Sequence, residues 1–219
     1  MHFPQARLLM MARAPVAGRA KTRLIPALGP AGAAQLQHYL IERQLRQILP
    51  AELAPFELWG SGPCDHPFFL DLAERETLLL QCQQGEGLGA RLEFALATAL
   101  RSAAYAIVFG ADIPELDAGV LKAACRVMEG GADAVVVPAE DGGYTLLGVR
   151  RVAPQLFRDI DWGTEQVMRQ TRERLRELNW RWQELPTLWD LDLPEDLQRL
   201  AALEGVPAPI QELARMGLA

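Results

Sequence analysis

Two stretches of the chain hold side chains that can do chemistry together: residues 12–24 (ARAPVAGRAKTRL) and residues 110–114 (GADIP). Each follows a short apolar run that reads as a buried strand. The first brings three cations, Arg13, Lys21 and Arg23, to the end of its strand. The second brings a lone carboxylate, Asp112, to the end of another. Arginine offers a planar fork for phosphate oxygens, and lysine a compact point charge. Mg²⁺ and Mn²⁺ prefer oxygen ligands and often join one or two carboxylates to substrate phosphates. Cations beside a carboxylate at strand C-termini therefore suit a metal-bound diphosphate and a nucleotide-using transferase.

Each segment also has a plainer reading. The first loop, with Arg19 included, can be a solvated charged loop. It offers only Gly18 where a dinucleotide-binding turn needs GxGxxG, and Ala20 and Pro15 where a Walker A loop needs glycines. A dehydrogenase and a P-loop enzyme are both disfavoured. Asp112 alone can cap the turn or helix that follows it. In QGEGLGAR, Gly85, Gly87 and Gly89 allow a backbone to approach a ligand, or simply make turns. Arg91 can reach back to the site or lie on the surface. In AEDGGY, Asp141 or Glu140 can act as acceptor ligand or base, with Gly142 and Gly143 as a close-approach surface; the same residues also make an ordinary tight turn. Of Asp190 and Asp192 in WDLDLPED, one can complete a metal site with Asp112; the alternative is helix capping by Asp192, Glu195 and Asp196. Trp162 and Trp189 suit buried packing better than an acceptor pocket.

Bulk properties narrow the class. A length of 219 residues favours one large α/β domain spanning 1–219, able to bury a core without staples. A net charge of −6 gives no footprint for a nucleic-acid backbone. Cys64, Cys82 and Cys125 are odd in number and form no CxxC pair, so they read as reduced, buried thiols of a cytoplasmic protein. His2, His38 and His66 lack zinc-site spacing. No run approaches the ~18 apolar residues of a membrane span, and the N-terminus lacks a secretory pattern. Oligomeric state is open.

These groups need strands to position them. Strands are expected at 7–12, 56–60, 77–82, 105–109, 133–138 and 144–149, with an edge strand at 180–185. Helices are expected at 30–49, 66–74, 90–103, 118–128, 164–179, 194–203 and 210–216. Pro30 and Pro194 suit first helical turns, and the Gly130-Gly131 pair suits a helix stop. The alternation predicts a three-layer α/β fold: a mainly parallel sheet with helices on both faces. Ligands of such sheets sit beyond the strand C-termini. The loops at 13–24, 83–89, 110–114 and 139–143 should converge there.

Taken in order, ARAPVAGRAKTRL, GEGLGARL, GADIP, PAEDGGYTLLG, WGTEQV and DLDLPEDL resemble the bacterial DUF2064 proteins. These are the radical-SAM/selenodomain-associated transferase group, with a nucleotide-diphospho-sugar transferase (GT-A) fold. The resemblance covers about residues 8–200. It implies a phosphate grip of Ala12, Arg13, Lys21 and Arg23, with Gly87, Gly89 and Arg91 on the nucleotide side. It implies Asp112 as the metal-binding carboxylate, helped by Asp192, and Asp141, Gly142 and Gly143 as the acceptor-side turn. Catalysis would then rest on Asp112, Asp141 and Lys21, with Mg²⁺ or Mn²⁺ as cofactor. Arg13 and Ala111 stand where the family has lysine and a small hydroxyl residue, and Leu193 where it has threonine. The implied reaction moves a sugar from a nucleoside-diphosphate sugar to a small acceptor. The chain is also similar to 2-phospholactate guanylyltransferases, which implies an alternative: coupling of an NTP to a phosphorylated small molecule with release of pyrophosphate. A third possibility is a nucleotide- or partner-binding module that has lost its chemistry.

Overall fold

The computed structural model describes residues 1–217. Seven strands form one sheet: β1 (Ala6–Arg13), β2 (Phe56–Ser61), β3 (Leu79–Cys82), β4 (Tyr105–Gly110), β5 (Ala134–Pro138), β6 (Tyr144–Val149) and β7 (Trp182–Glu184). Their order is β3-β2-β1-β4-β6-β5-β7. Only β6 runs against its neighbours β4 and β5; all other pairings are parallel. The helices are α1 (Ile25–Ile48), α2 (Pro67–Arg75), α3 (Gly87–Ala99), α4 (Ala118–Glu129), α5 (Val167–Glu177), α6 (Asp196–Ala202) and α7 (Ala208–Met216).

The sheet is covered on both faces, which is why its central strands are nearly unbroken apolar runs. Successive side chains of a strand point to opposite faces. Accordingly Leu8, Met10 and Ile107 join one core with Leu45 and Leu121, and Leu9, Val108 and Val136 join another with Trp59 and Leu96. A third cluster packs Leu36 and Leu40 of α1 against Trp189, Leu197 and Ile210. It ties the C-terminal helices to the segment that carries Asp190 and Asp192.

Two boundary differences bear on the site. The expected start of α1 at Pro30 marks only its long part, because Gly29 is non-helical and one turn precedes it. Helix α3 begins at Gly87, so Gly87 and Gly89 lie in its first turn and only residues 83–86 of the glycine-rich segment are loop.

The cysteines correct the expectation of reduced thiols. Cys64 and Cys82 form a disulfide with Cα atoms 5.4 Å apart, and Cys125 alone is a free buried thiol. Register explains the pairing: Gly60 of β2 lies beside Cys82 at the end of β3, and the loop after β2 turns Cys64 back over it. A separation of 18 residues hides this contact in the sequence. Closing a loop of that length is worth about 3 kcal/mol. Cys82→Ser is therefore expected to lower unfolding stability by about that amount, and reduction of the wild type to do the same. Denaturant titration with and without dithiothreitol checks both.

Candidate active site

Strand β1 leads to β2 on one side, and β4 flanks it on the other. The chain order thus reverses between β1 and β4, and their C-terminal ends open a crevice where such sheets bind ligands. Arg13 ends β1, and Asp112 follows β4. All four loops expected to converge do so: a cleft of about 340 Å³ is lined by Arg13, Gln83, Asp112 and Asp141, with Asp190 and Trp162. A smaller, polar cleft of about 200 Å³ adjoins it through Arg13 and Asp112, and adds Lys21, Arg23, Gln37 and Asp192.

Lys21 holds the wall between the two clefts. Its backbone sits in the left-handed region at φ 44°, a conformation costly for a side-chain-bearing residue. From there its ammonium donates to Asp112 Oδ2 at 2.7 Å and to the Leu191 carbonyl at 2.5 Å, and lies 3.6 Å from Asp192 Oδ1. The Lys21 side chain is 5% exposed and that of Asp112 37%. Burial pulls the Lys21 pKa down, but Asp112, aided by Asp192 and Asp190, more than offsets this and holds it above its usual value. Arg23 pairs with Asp192 Oδ2 at 2.5 Å. Both oxygens of Asp192 thus face cations.

Asp190 is the group with no such partner. Burial, then the neighbouring Asp112 and Asp141, push its carboxyl up to about 6. Asp112, Asp141 and Asp190 line one cleft. Among the described residues, however, no three Asp, Glu, His or Cys side chains are grouped tightly enough to hold a metal alone. The donor set is hard oxygen and incomplete, which fits Mg²⁺ or Mn²⁺ completed by substrate phosphates and water.

The two acidic residues of the AEDGGY turn separate. Glu140 takes a bidentate pair from Arg199 at 2.7 and 3.0 Å, which depresses its pKa. Asp141 accepts from the Gly143 N–H at 2.8 Å through one oxygen and faces the cleft.

Several glycines serve packing rather than ligand approach. A Cβ on Gly142 would stand 2.4 Å from the Glu165 carbonyl oxygen, and its φ is +89°. A Cβ on Gly89 would stand 2.6 Å from Trp162 Nε1. Those contacts fasten the 157–166 loop over the cleft from both sides. Neither Gly142, Gly89 nor Gly87 lines the clefts, whereas Ala12, Arg13, Arg91 and Gly143 do. Gly142→Ala is expected to destabilise the fold by about 2–3 kcal/mol through overpacking and positive φ, with a lowered thermal midpoint as the readout.

Other site residues carried little sequence signal. Gln83 Nε2 bridges the Ala12 and Trp59 carbonyls, and Gln37 Nε2 donates to the Arg13 carbonyl. Both brace the end of β1. The position of Gln83 just after β3 is the one clue to it. Trp189 is buried under Arg199, as packing predicts, but Trp162 lines the cleft. Capping near Asp192 runs in reverse: the Asp196 carboxylate accepts from the Asp192 and Leu193 N–H groups.

The fold is that of the nucleotide-diphospho-sugar transferases and cytidylyltransferases. A candidate nucleotide-diphospho-sugar transferase from Desulfovibrio desulfuricans is 26% identical, with a TM-score of 0.85 over 97% of this chain and 95% of that one. The CTP complex of CMP:2-keto-3-deoxy-manno-octonic acid synthetase is 13% identical, with a TM-score of 0.55 over 90% of this chain and 96% of that one. A manganese complex of a Mycobacterium tuberculosis protein is 19% identical, with a TM-score of 0.50 over 92% and 100%. The chain belongs to the DUF2064 family, described as uncharacterized and conserved in bacteria, whose family model matches residues 44–164. That match includes GADIP and the DGG turn but neither the basic loop nor the late aspartates. No curated protein matches in sequence. Among the described residues no helix is long and apolar enough to cross a membrane.

Proposed function

We propose that the chain, acting as a single domain over 1–219, is a divalent-metal-dependent transferase that moves a sugar from a nucleoside-diphosphate sugar to a small acceptor. One observation carries this reading: the half-buried Lys21–Asp112 pair stands at the sheet's switch point, between a basic loop and a cleft lined by Asp112, Asp141 and Asp190. The similarity to the Desulfovibrio protein supports the donor class.

Arg13 and Arg23 bind the diphosphate, with Arg91 at the nucleotide side. Lys21 orients the Asp112 carboxylate and adds positive charge where the diphosphate leaves. Asp112 would hold Mg²⁺ or Mn²⁺. Asp190 is better placed than Asp192 to join it, because both oxygens of Asp192 already face cations. The bound ion would supply Lewis-acid stabilisation of the leaving group. Asp141 takes the proton of the attacking hydroxyl. Glu140 does not, since Arg199 holds it.

A second reading has one observation in its favour. Arg13, Arg19 and Arg91 line a further cleft beside Gly18 and Gly62. None of the three forms an ion pair among the described residues. That much free positive charge suits a triphosphate, and hence nucleotidyl transfer. Phosphorus NMR of the products formed with Mg²⁺ separates the two. Release of nucleoside diphosphate from a sugar donor supports the first reading. Pyrophosphate from an NTP replaces it with the second, and neither product sinks both.

A further inference from the structure

The large cleft is divided by charge along the sheet. Over β1, β2 and α3 its polar lining is Arg13, Ser61, Gln83 and Arg91. Over β4, β5 and β6 it is Asp112, Asp141, Asp190 and Thr145, without a cation among the described residues. Lys21 reaches Asp112 from the other cleft. Asp141 and Asp190 make no ion pair among the described residues, in contrast to Glu140 beside them. The same half has an aromatic wall. Tyr144 stands edge-on to Trp162 at 6.1 Å between ring centroids. Its phenol oxygen is buried and has no hydrogen-bond partner.

Building on the transferase reading above, we infer that the β4–β6 half of the cleft is the acceptor subsite, and that its acceptor is an unphosphorylated hydroxyl compound, neutral or amine-bearing, whose carbon face packs on the Tyr144–Trp162 wall. The charge balance gives the reason. Lys21 and Arg23 are matched by Asp112 and Asp192. A divalent ion would at most offset Asp141 and Asp190. The donor's own phosphates then add negative charge next to the subsite. A second phosphate brought there by the acceptor meets only like charge, and like charges juxtaposed in a site act as strong discrimination. A hydroxyl or ammonium group meets carboxylates that accept hydrogen bonds, and the aromatic wall takes its carbon face.

The reaction balances without a further reagent. The acceptor oxygen forms the new bond to the sugar's anomeric carbon, the bond from that carbon to the diphosphate breaks, and the acceptor proton passes to Asp141.

Matched acceptors test the inference: glucose against glucose 6-phosphate, glycerol against glycerol 3-phosphate, and ethanolamine against phosphoethanolamine. Each is supplied with Mn²⁺ and either UDP-, GDP- and ADP-glucose or the four NTPs, and release of nucleoside diphosphate or pyrophosphate is followed. Thermal shifts with the donors alone are recorded first. Turnover of the unphosphorylated members, with kcat/KM roughly tenfold or more above their partners, is the expected result. Asp141→Asn keeps the acceptor oxygen for the Gly143 N–H and removes one charge. It should lower turnover yet shrink that preference by roughly tenfold. Trp162→Leu should raise acceptor KM without moving the donor's thermal shift. Donor binding with equal or better use of phosphorylated acceptors overturns the acceptor class while leaving the transferase reading intact. So does donor binding without turnover of any acceptor. No thermal shift with any nucleotide overturns the transferase reading, and this inference with it.

Discussion

Lys21→Met is expected to lower turnover by roughly 10²–10³-fold, the usual cost of removing one aimed charge from a transition state. The side chain makes three polar contacts at once. It neutralises Asp112 at 2.7 Å, approaches Asp192 at 3.6 Å, and satisfies the Leu191 carbonyl. Methionine keeps the length and removes all three. The Asp112 side chain is 37% exposed, so water can solvate it in the variant and the protein should stay folded with a lower thermal midpoint. The pH behaviour has a definite sign. Lys21 has a raised folded pKa, so its contribution to the pair is undiminished from neutral pH up to 10.5 and is lost only as pH climbs through the folded value. Its removal should therefore lower stability evenly between pH 6 and 9. Turnover, circular dichroism and thermal melts at several pH values check these statements. A folded variant with wild-type turnover would remove Lys21 from the mechanism.

The frame of this site was legible because it depends on local patterns. Tyr105–Gly110 is short, apolar and followed by glycine, so it reads as a central strand, and the carboxylate after it falls at a strand end. The same logic placed Arg13. What stayed hidden depends on contacts between distant segments. Lys21 meets Leu191 across 170 positions, and Arg23 meets Asp192 across 169. Nothing in WDLDLPED says which aspartate will be claimed by arginine and which will face the cleft. The DGG turn illustrates the same limit. Its glycines suggest ligand approach, but Gly142 is fixed by the backbone of Glu165, which only the folded chain brings near. The disulfide was missed because parallel register, not spacing, sets Cys64 over Cys82.

Asp190→Asn should stabilise the protein at neutral pH and impair its chemistry, a combination that a merely structural aspartate would not show. The Asp190 carboxyl titrates at about 6 in the fold against 3.8 as an ordinary side chain, because burial and then Asp112 and Asp141 disfavour its charge. Between those values the folded chain holds a proton that the unfolded chain has released. Stability must then fall as pH rises from 3.8 to about 6, and it stays reduced above. The shift corresponds to at most about 3 kcal/mol at pH 7. The uncharged amide removes that penalty, so the thermal midpoint should rise by several degrees at pH 7 and hardly change at pH 4. A bound Mn²⁺ would act on the same charge. It should raise the wild-type midpoint most above pH 6, and its affinity should fall roughly tenfold or more in the variant. Sites that assemble like charges for a ligand are under strain without it, and stability given up there is regained when the charge is removed. A variant less stable than wild type at pH 7, or one that binds Mn²⁺ equally well, would show that Asp190 is a satisfied part of the fold rather than a group held ready for the metal.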